Sequence, residues 1–327
     1  MTDHNEKFGR RAPAVSLNID EIRELVDPSL EGSRIKSISL LGGGFVNSNY
    51  RLHLADNTSL VLRISAKLVR EFRKELRVLD LVRGQVTTPE VIAKSFSKQY
   101  PFALIEFVEG ELLSMVMSSL NDQVLEAVAI EAGKALRRVH SFDLGKAGFF
   151  DDQFVFNLEF ENFGRAWYDY ICSTLLSDRV RQRLGITVAE QVLDFVRDRR
   201  ATYESIANTT RLIHCDYNPK NIIISPIDSH WKVAAILDWE FAASGSPLVD
   251  LGNFLRFDDE LPAGFDQGFI QGYASDPGTF EDNWREITQL LDLAAMTNFL
   301  DSESENPKTF RTAVSVIEKT IKTLGKK

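Results

Sequence analysis

The chain of 327 residues is short of cysteine, of long apolar runs and of positive charge. Its two cysteines, Cys172 and Cys215, lie in different contexts, one in an amphipathic run and one in a polar loop. They provide neither a disulfide framework nor a cysteine zinc site. The five histidines show no metal-ligand spacing. No apolar run reaches the ~20 residues that cross a bilayer, and the opening Met1-Thr2-Asp3-His4-Asn5-Glu6-Lys7 has no signal-peptide core. A cytoplasmic protein without membrane contact is therefore expected. A net charge of −9 leaves no basic face for nucleic-acid phosphates. Nothing in the sequence sets the oligomeric state.

What remains is the composition of a soluble globular protein, 44% hydrophobic and 26% charged. A chain of about 300 residues buries roughly three quarters of its unfolded surface, enough for two lobes around a cleft. The chemistry is concentrated in His214-Cys215-Asp216-Tyr217-Asn218-Pro219-Lys220-Asn221 and in Asp238. Such a string can arise by chance in a polar loop, but its flanks argue otherwise. Ile213 precedes it, Ile222-Ile223-Ile224 follow, and a β-like run from Trp231 to Leu237 delivers Asp238, a strand, loop, strand, turn, strand pattern.

An alcohol that attacks a terminal phosphorus must lose its proton, so a carboxylate has to stand within reach of it. Asp216 is the candidate base. The phosphates would repel that carboxylate unless a hard cation screened them, and magnesium takes oxygen ligands. Asn221 and Asp238 offer two, and His214 supports the loop from behind.

These segments resemble the aminoglycoside phosphotransferase and choline kinase-like family, small-molecule relatives of the protein kinases. Its catalytic loop is similar to His-x-Asp-x-x-x-x-Asn, and its metal Asp closes a strand like Ile236-Leu237-Asp238-Trp239. The resemblance implies an α+β, bilobal kinase-like fold, with a small β-rich nucleotide-binding lobe over 1–108 and a larger, mostly helical catalytic and acceptor-binding lobe over 109–327. It also implies transfer of the γ-phosphoryl group of ATP or GTP to a small-molecule hydroxyl with Mg2+, and makes Asp250 the residue that holds the catalytic loop backbone.

In the first lobe, Gly42-Gly43-Gly44 between two β-like runs form a hairpin whose backbone can approach phosphates, with Gly43, Gly44, Asn47 and Ser48 as candidate contacts. It is not a Walker loop, because no Gly-Lys-Ser or Gly-Lys-Thr opens a helix there. By the resemblance, Arg63 takes the place of the usual phosphate-gripping lysine, and Glu75 is its partner on a helix striped by Leu68, Phe72, Leu76 and Leu79. Glu75 can equally pair with helix neighbours in solvent. By the same resemblance, the hinge that reads the nucleotide base is expected at Glu106, through its carbonyl, and at Val108, through its amide, the backbone contacts leaving ATP and GTP unseparated.

Helices are expected near 122–142, 159–176, 187–207, 247–257, 264–274, 279–302 and 307–323, and residues 1–17 as a loose arm. Between 251 and 310 acids far outnumber the bases Arg256, Arg285 and Lys308, which suits either a solvated face or a wall for a cationic acceptor. A protein kinase needs a long activation segment after its metal Asp, yet eleven residues separate Asp238 from Asp250. A catalytically weak nucleotide-binding module would usually lack one of Asp216, Asn221 or Asp238. Small-molecule phosphotransfer fits best, with the acceptor unread.

Overall fold

The computed structural model describes residues 15–30, 32–41, 47–65, 69–97, 99–227, 230–274 and 280–325. It has the expected α+β character, a β-sheet N-terminal part followed by a helical C-terminal part. Strands β1 (Ile35–Leu41), β2 (Ser48–Leu54), β3 (Ser59–Ile64), β4 (Val91–Ser95) and β5 (Phe102–Glu106) form an antiparallel sheet in the order β1-β2-β3-β5-β4. Alternation sorts its faces. Leu52, Leu54, Leu62, Ile64 and Leu104 face Ile22 and Val26 of helix α1 (Ile19–Val26), and Arg63 projects to the opposite side.

The expectation of a loose arm over 1–17 is corrected at its last three residues, just before α1. Residues 15–17 are docked on β2: Val15 N–H donates to Ser48 Oγ, Leu17 N–H donates to the Tyr50 hydroxyl, and that hydroxyl donates to the Val15 carbonyl. Residues 1–14 lie outside the described residues. A capping box starts the helix, Asn18 Oδ1 accepting from Glu21 N–H while Glu21 Oε2 accepts from Asn18 N–H.

Helix α2 (Val69–Val82) buries Phe72, Leu76 and Leu79 of the anticipated stripe, and Val82 beyond it, while Leu68 lies outside the described residues. These side chains join the main core of the C-terminal part, so α2 ties the sheet to the helices. After β6 (Glu111–Leu112) and α3 (Leu113–Val116), α4 (Asp122–Val139) packs closely on α10 (Phe265–Tyr273). Gly133 and Gly272 permit that approach, since a Cβ on Gly133 would run into the Phe269 carbonyl and one on Gly272 into the Ile130 carbonyl.

Strands β7 (Gly148–Phe150) and β8 (Phe156–Glu159) precede α5 (Phe163–Leu175), α6 (Asp178–Leu184), α7 (Ile186–Asp198) and α8 (Arg200–Glu204). These helices share a second core with α11 (Trp284–Asp301) and α12 (Pro307–Leu324). The single helix expected over 187–207 is two, α7 and α8. Arg199 leaves helical geometry between them, its guanidinium donating to the Phe195 and Leu324 carbonyls. The α6 turn, capped by the Ser177 hydroxyl on Val180 N–H, was not anticipated.

The remaining strands are β9 (Arg211–Ile213), β10 (Ile222–Ile227), β11 (His230–Ile236) and β12 (Ala243–Gly245), followed by α9 (Leu248–Leu255). They form two small sheets, β11-β10-β6 and β8-β7-β12-β9. The ends of β9 and β11 feed segments 214–221 and 237–241, joined where Leu237 N–H donates to the Asn221 carbonyl at 2.8 Å. No helix among the described residues is long and apolar enough to cross a membrane.

Candidate active site

The loop after β9 is built around two buried anchors. Asp250, on the first turn of α9 and fully buried, accepts His214 N–H and Cys215 N–H, one on each carboxylate oxygen, both at 2.7 Å. His140 Nε2 also lies 2.9 Å from Asp250 Oδ2, and His140 Nδ1 lies 2.8 Å from the Tyr273 hydroxyl. Those bonds hold Cys215 at φ +63°, a left-handed conformation that costs a non-glycine residue about 1–2 kcal/mol.

The other anchor is His214 itself. Asp216 N–H donates to His214 Nδ1 at 3.3 Å, which leaves Nε2 to carry the proton and donate to the Leu237 carbonyl at 2.9 Å. The imidazole thus joins the loop to the turn that carries Asp238. Burial pushes its pKa below the ordinary value, so the neutral tautomer required by these bonds is the stable one. Burial likewise pushes the Cys215 thiol well up, which leaves it unsuited to act as a nucleophile.

Both oxygens of Asp216 accept amide hydrogen bonds at 2.9 Å, Oδ1 from Asn218 Nδ2 and Oδ2 from Asn221 Nδ2. Asn218 was not singled out from the sequence, although its place two residues after the carboxylate in a tight turn was a readable signal. Burial, and then the repulsion of Asp238, push the Asp216 carboxyl up to about 7, while Arg256 and the Asn221 bond pull against them. Two acids in one low-dielectric place leave Asp216 poised near neutrality, where a general base is most effective.

Asp238 also adopts a left-handed backbone, φ +66°, which brings it back toward β3. Arg63 Nη2 lies 2.7 Å from Asp238 Oδ1 and 2.8 Å from Glu75 Oε1, and the Glu75 side chain is only 5% exposed. Of the two pairings open for Glu75 in the sequence, the one with Arg63 is present. Burial alone would lower the Arg63 pKa, but Glu75 and Asp238 outweigh it and hold the guanidinium firmly charged. Its Nε is buried without an acceptor among the described residues, and Asn49 Oδ1, whose residue faces Arg63 across β2 and β3, is buried without a donor among them.

The oxygen set suits magnesium. The amide nitrogen of Asn221 is spent on Asp216 and Oδ1 of Asp238 on Arg63, so Asn221 Oδ1 and Asp238 Oδ2 make no hydrogen bond among the described residues. Both are hard oxygen donors. No group of three or more His, Cys, Asp or Glu suited to a metal occurs among the described residues. The two oxygens here instead come from one amide and one carboxylate.

The other expected contacts are placed as follows. Glu106 N–H donates to the Glu90 carbonyl at 2.8 Å and Glu106 Oε2 accepts Glu90 N–H, so the exposed end of β5 is fastened, with Val108 half-buried just beyond it. Ser48 is buried, and its hydroxyl oxygen accepts Val15 N–H at 2.9 Å. Asn47 is buried beside it. Gly43 and Gly44 lie outside the described residues. The acids of the C-terminal region are largely engaged by bases from outside it or across it. Lys319 pairs with Asp258 and Asp259, Arg285 with Asp266, Arg179 with Glu303, Arg183 with Glu305, and Arg256 with Asp292.

Residues 37–288 match the model of a family described as phosphotransferase enzyme family. Two curated relatives are similar to the chain. The probable acyl-CoA dehydrogenase IBR3 of Arabidopsis thaliana is 23% identical over 239 residues, 65% of this chain and 27% of that protein. Acyl-CoA dehydrogenase family member 10 of Mus musculus is 25% identical over 218 residues, 64% of this chain and 19% of that protein. The chain therefore spans about a quarter or less of the length of these relatives.

Solved structures are similar over nearly the whole chain. Aminoglycoside phosphotransferase APH(4)-Ia superposes with a TM-score of 0.68 at 15% identity, covering 94% of this chain and 99% of the other. Wild-type aminoglycoside 2'-phosphotransferase-IIIa, in complex with GDP, superposes with a TM-score of 0.71 at 16% identity, covering 94% and 100%. At these identities the likeness shows the fold, which is protein kinase-like.

Proposed function

Because this chain belongs to the phosphotransferase enzyme family, we propose that it moves the γ-phosphoryl group of ATP or GTP to a hydroxyl of a small molecule. The observation that carries this reading is one constellation. Asp216 is gripped by two amides and repelled by Asp238, and Arg63 crosses from the sheet to Asp238 with a buried N–H unspent.

In this reading Asp216 accepts the proton of the acceptor hydroxyl, and the bonds from Asn218 and Asn221 aim its carboxylate. Asn221 and Asp238 hold Mg2+, which when bound offsets the negative charge of the phosphates. Arg63 has a fork of donors, and its Nε–H, unspent among the described residues, suits a phosphate oxygen. Glu75 and Asp238 keep that fork in place. The backbone around Glu106 and Val108 holds the base of the nucleotide, and Gly43 and Gly44 cover its phosphates. Residues 1–108 form the nucleotide lobe and 109–327 the catalytic and acceptor lobe.

The structures that are similar to the chain include complexes of their own proteins with AMP-PNP and hygromycin B, and with GDP and kanamycin. They support a nucleotide and a hydroxylated small molecule as the two substrates. The curated relatives are named acyl-CoA dehydrogenases, and an acyl thioester that carries the hydroxyl this reaction needs joins the acceptors worth testing. The test is an ADP- and GDP-release screen with aminoglycosides, macrolides, choline-like amines, homoserine, sugars and hydroxyacyl thioesters, with Asp216→Asn as the blank. Release stimulated by one class and absent from the blank is expected. Identical release from the two proteins across the panel would refute the assignment.

A further inference from the structure

Helix α9 carries more polar machinery than the anchoring of the catalytic loop requires. Asp250, Asn253 and Arg256 follow one another at three-residue spacing, so they share one side of the helix, and the first of them holds the loop of Asp216. Arg256 grips Asp292 of α11 in a two-point fork, Nε to Oδ2 at 2.8 Å and Nη2 to Oδ1 at 2.6 Å, with the two side chains 7% and 6% exposed. Gly252 allows this closeness, because a Cβ there would meet the Thr288 carbonyl of α11.

Two groups in the cluster are unspent. Asn253 is 4% exposed and gives its Nδ2 to Asp292 Oδ1 at 3.1 Å, but its own Oδ1 is buried without a donor among the described residues. The third guanidinium nitrogen of Arg256, Nη1, makes no hydrogen bond among the described residues. The guanidinium borders a cavity of about 40 Å³ lined also by Asp258, Arg285, Thr288, Asp292 and Lys319, and it lies near enough to Asp216 for each to feel the other's charge. A buried arginine whose fork is fixed on one edge and open on the other is pre-organised for an oxyanion.

The geometry points to Arg256, assisted by Asn253, as the specificity determinant that grips an oxyanion of the acceptor, a carboxylate or a phosphate, and so brings the acceptor hydroxyl to Asp216. This rests on the phosphotransferase reading above and narrows its substrate class to anionic acceptors. It agrees with the acids of the C-terminal region being engaged in ion pairs. The open Nη1 edge of Arg256 donates to the oxyanion, and Asn253 Oδ1 accepts from a bound water or from a protonated oxygen of the same group.

Two measurements test it. The first uses the full chain labelled with 15N-arginine, titrated with sodium acetate and, separately, sodium phosphate, and observed at the Arg256 Nε–H signal, which Arg256→Lys removes and thereby identifies. A saturable displacement in the acetate arm assigns a carboxylate and one in the phosphate arm a phosphoryl group. No saturable displacement in either arm overturns the proposal, whether or not the chain is a kinase.

The second compares KM for glycerate with that for glyceramide, and for 3-hydroxybutyrate with that for its amide, in nucleoside diphosphate release. The charged member of a pair should have a KM lower by about tenfold or more, the worth of one charge-assisted hydrogen bond. In Arg256→Gln with Asp292→Asn, which leaves no unpaired buried charge, the ratio should fall to near one. Arg256→Lys, which keeps the charge without the fork, should fall between. Equal KM values within pairs that the wild type turns over, or a ratio untouched in a folded variant, would overturn the proposal. A wild type whose release of nucleoside diphosphate no acceptor stimulates would instead sink the phosphotransferase reading, leaving the titration to decide anion binding.

Discussion

Asp216 should destabilise the protein that it serves. Its carboxyl is raised from 3.8 to about 7 in the folded chain without metal or nucleotide, which corresponds to about 4 kcal/mol between its two protonation states. The folded state therefore binds a proton that the unfolded state releases at lower pH. Stability contributed by this site falls as pH rises from about 4 toward about 7 and stays low above it. Asp216→Asn removes the charge and weakens one of the two amide bonds, the latter a pH-independent loss of about 1 kcal/mol. Relative to wild type, the variant should gain about 3–4 kcal/mol between pH 4 and pH 8. Urea unfolding of the two proteins in EDTA, at several pH values, measures this difference directly. A stability difference that is flat across that range would refute the claim that burial and Asp238 strain this carboxylate.

Three further outcomes follow from the same geometry. Asp216→Asn should retain nucleotide affinity while turnover falls by about 10² to 10⁴, the range for loss of a positioned base; unchanged turnover would exclude Asp216 as the base. Arg63→Met removes the cation between Glu75 and Asp238 and should cost about 3–5 kcal/mol of stability in urea as well as nucleotide affinity; a loss below about 1 kcal/mol would mean the pair is solvent-weakened. Gly133→Val should lower stability by about 1–3 kcal/mol or more by forcing α4 from α10, and an unchanged melting temperature would show that the two helices are free to separate.

Side chains at fixed spacing were legible, and juxtapositions were not. The segments carrying Asp216, Asn221 and Asp238 could be read because a loop between strands constrains which neighbours share a turn. Asn218 stands two residues after Asp216 in that string, a spacing from which its amide on the carboxylate could have been read. His140 caps the end of α4, and its link to Asp250 spans 110 residues that no local pattern encodes. The acid-rich stretch was read without Lys319, Arg179 and Arg183, because the bases that engage it lie outside the stretch. Helix α1 was missed although Asn18 and Glu21 spell a capping box, because it is only eight residues long and follows a polar start.

The central claim is that Asn221 and Asp238 hold one divalent cation beside Asp216. Electron paramagnetic resonance of Mn2+, titrated into the protein with a non-hydrolysable nucleotide, reads that cation without needing an acceptor. Saturable binding is expected in wild type and in Asp216→Asn, and a large loss of it in Asp238→Ala. Manganese binding in Asp238→Ala equal to wild type would contradict the account.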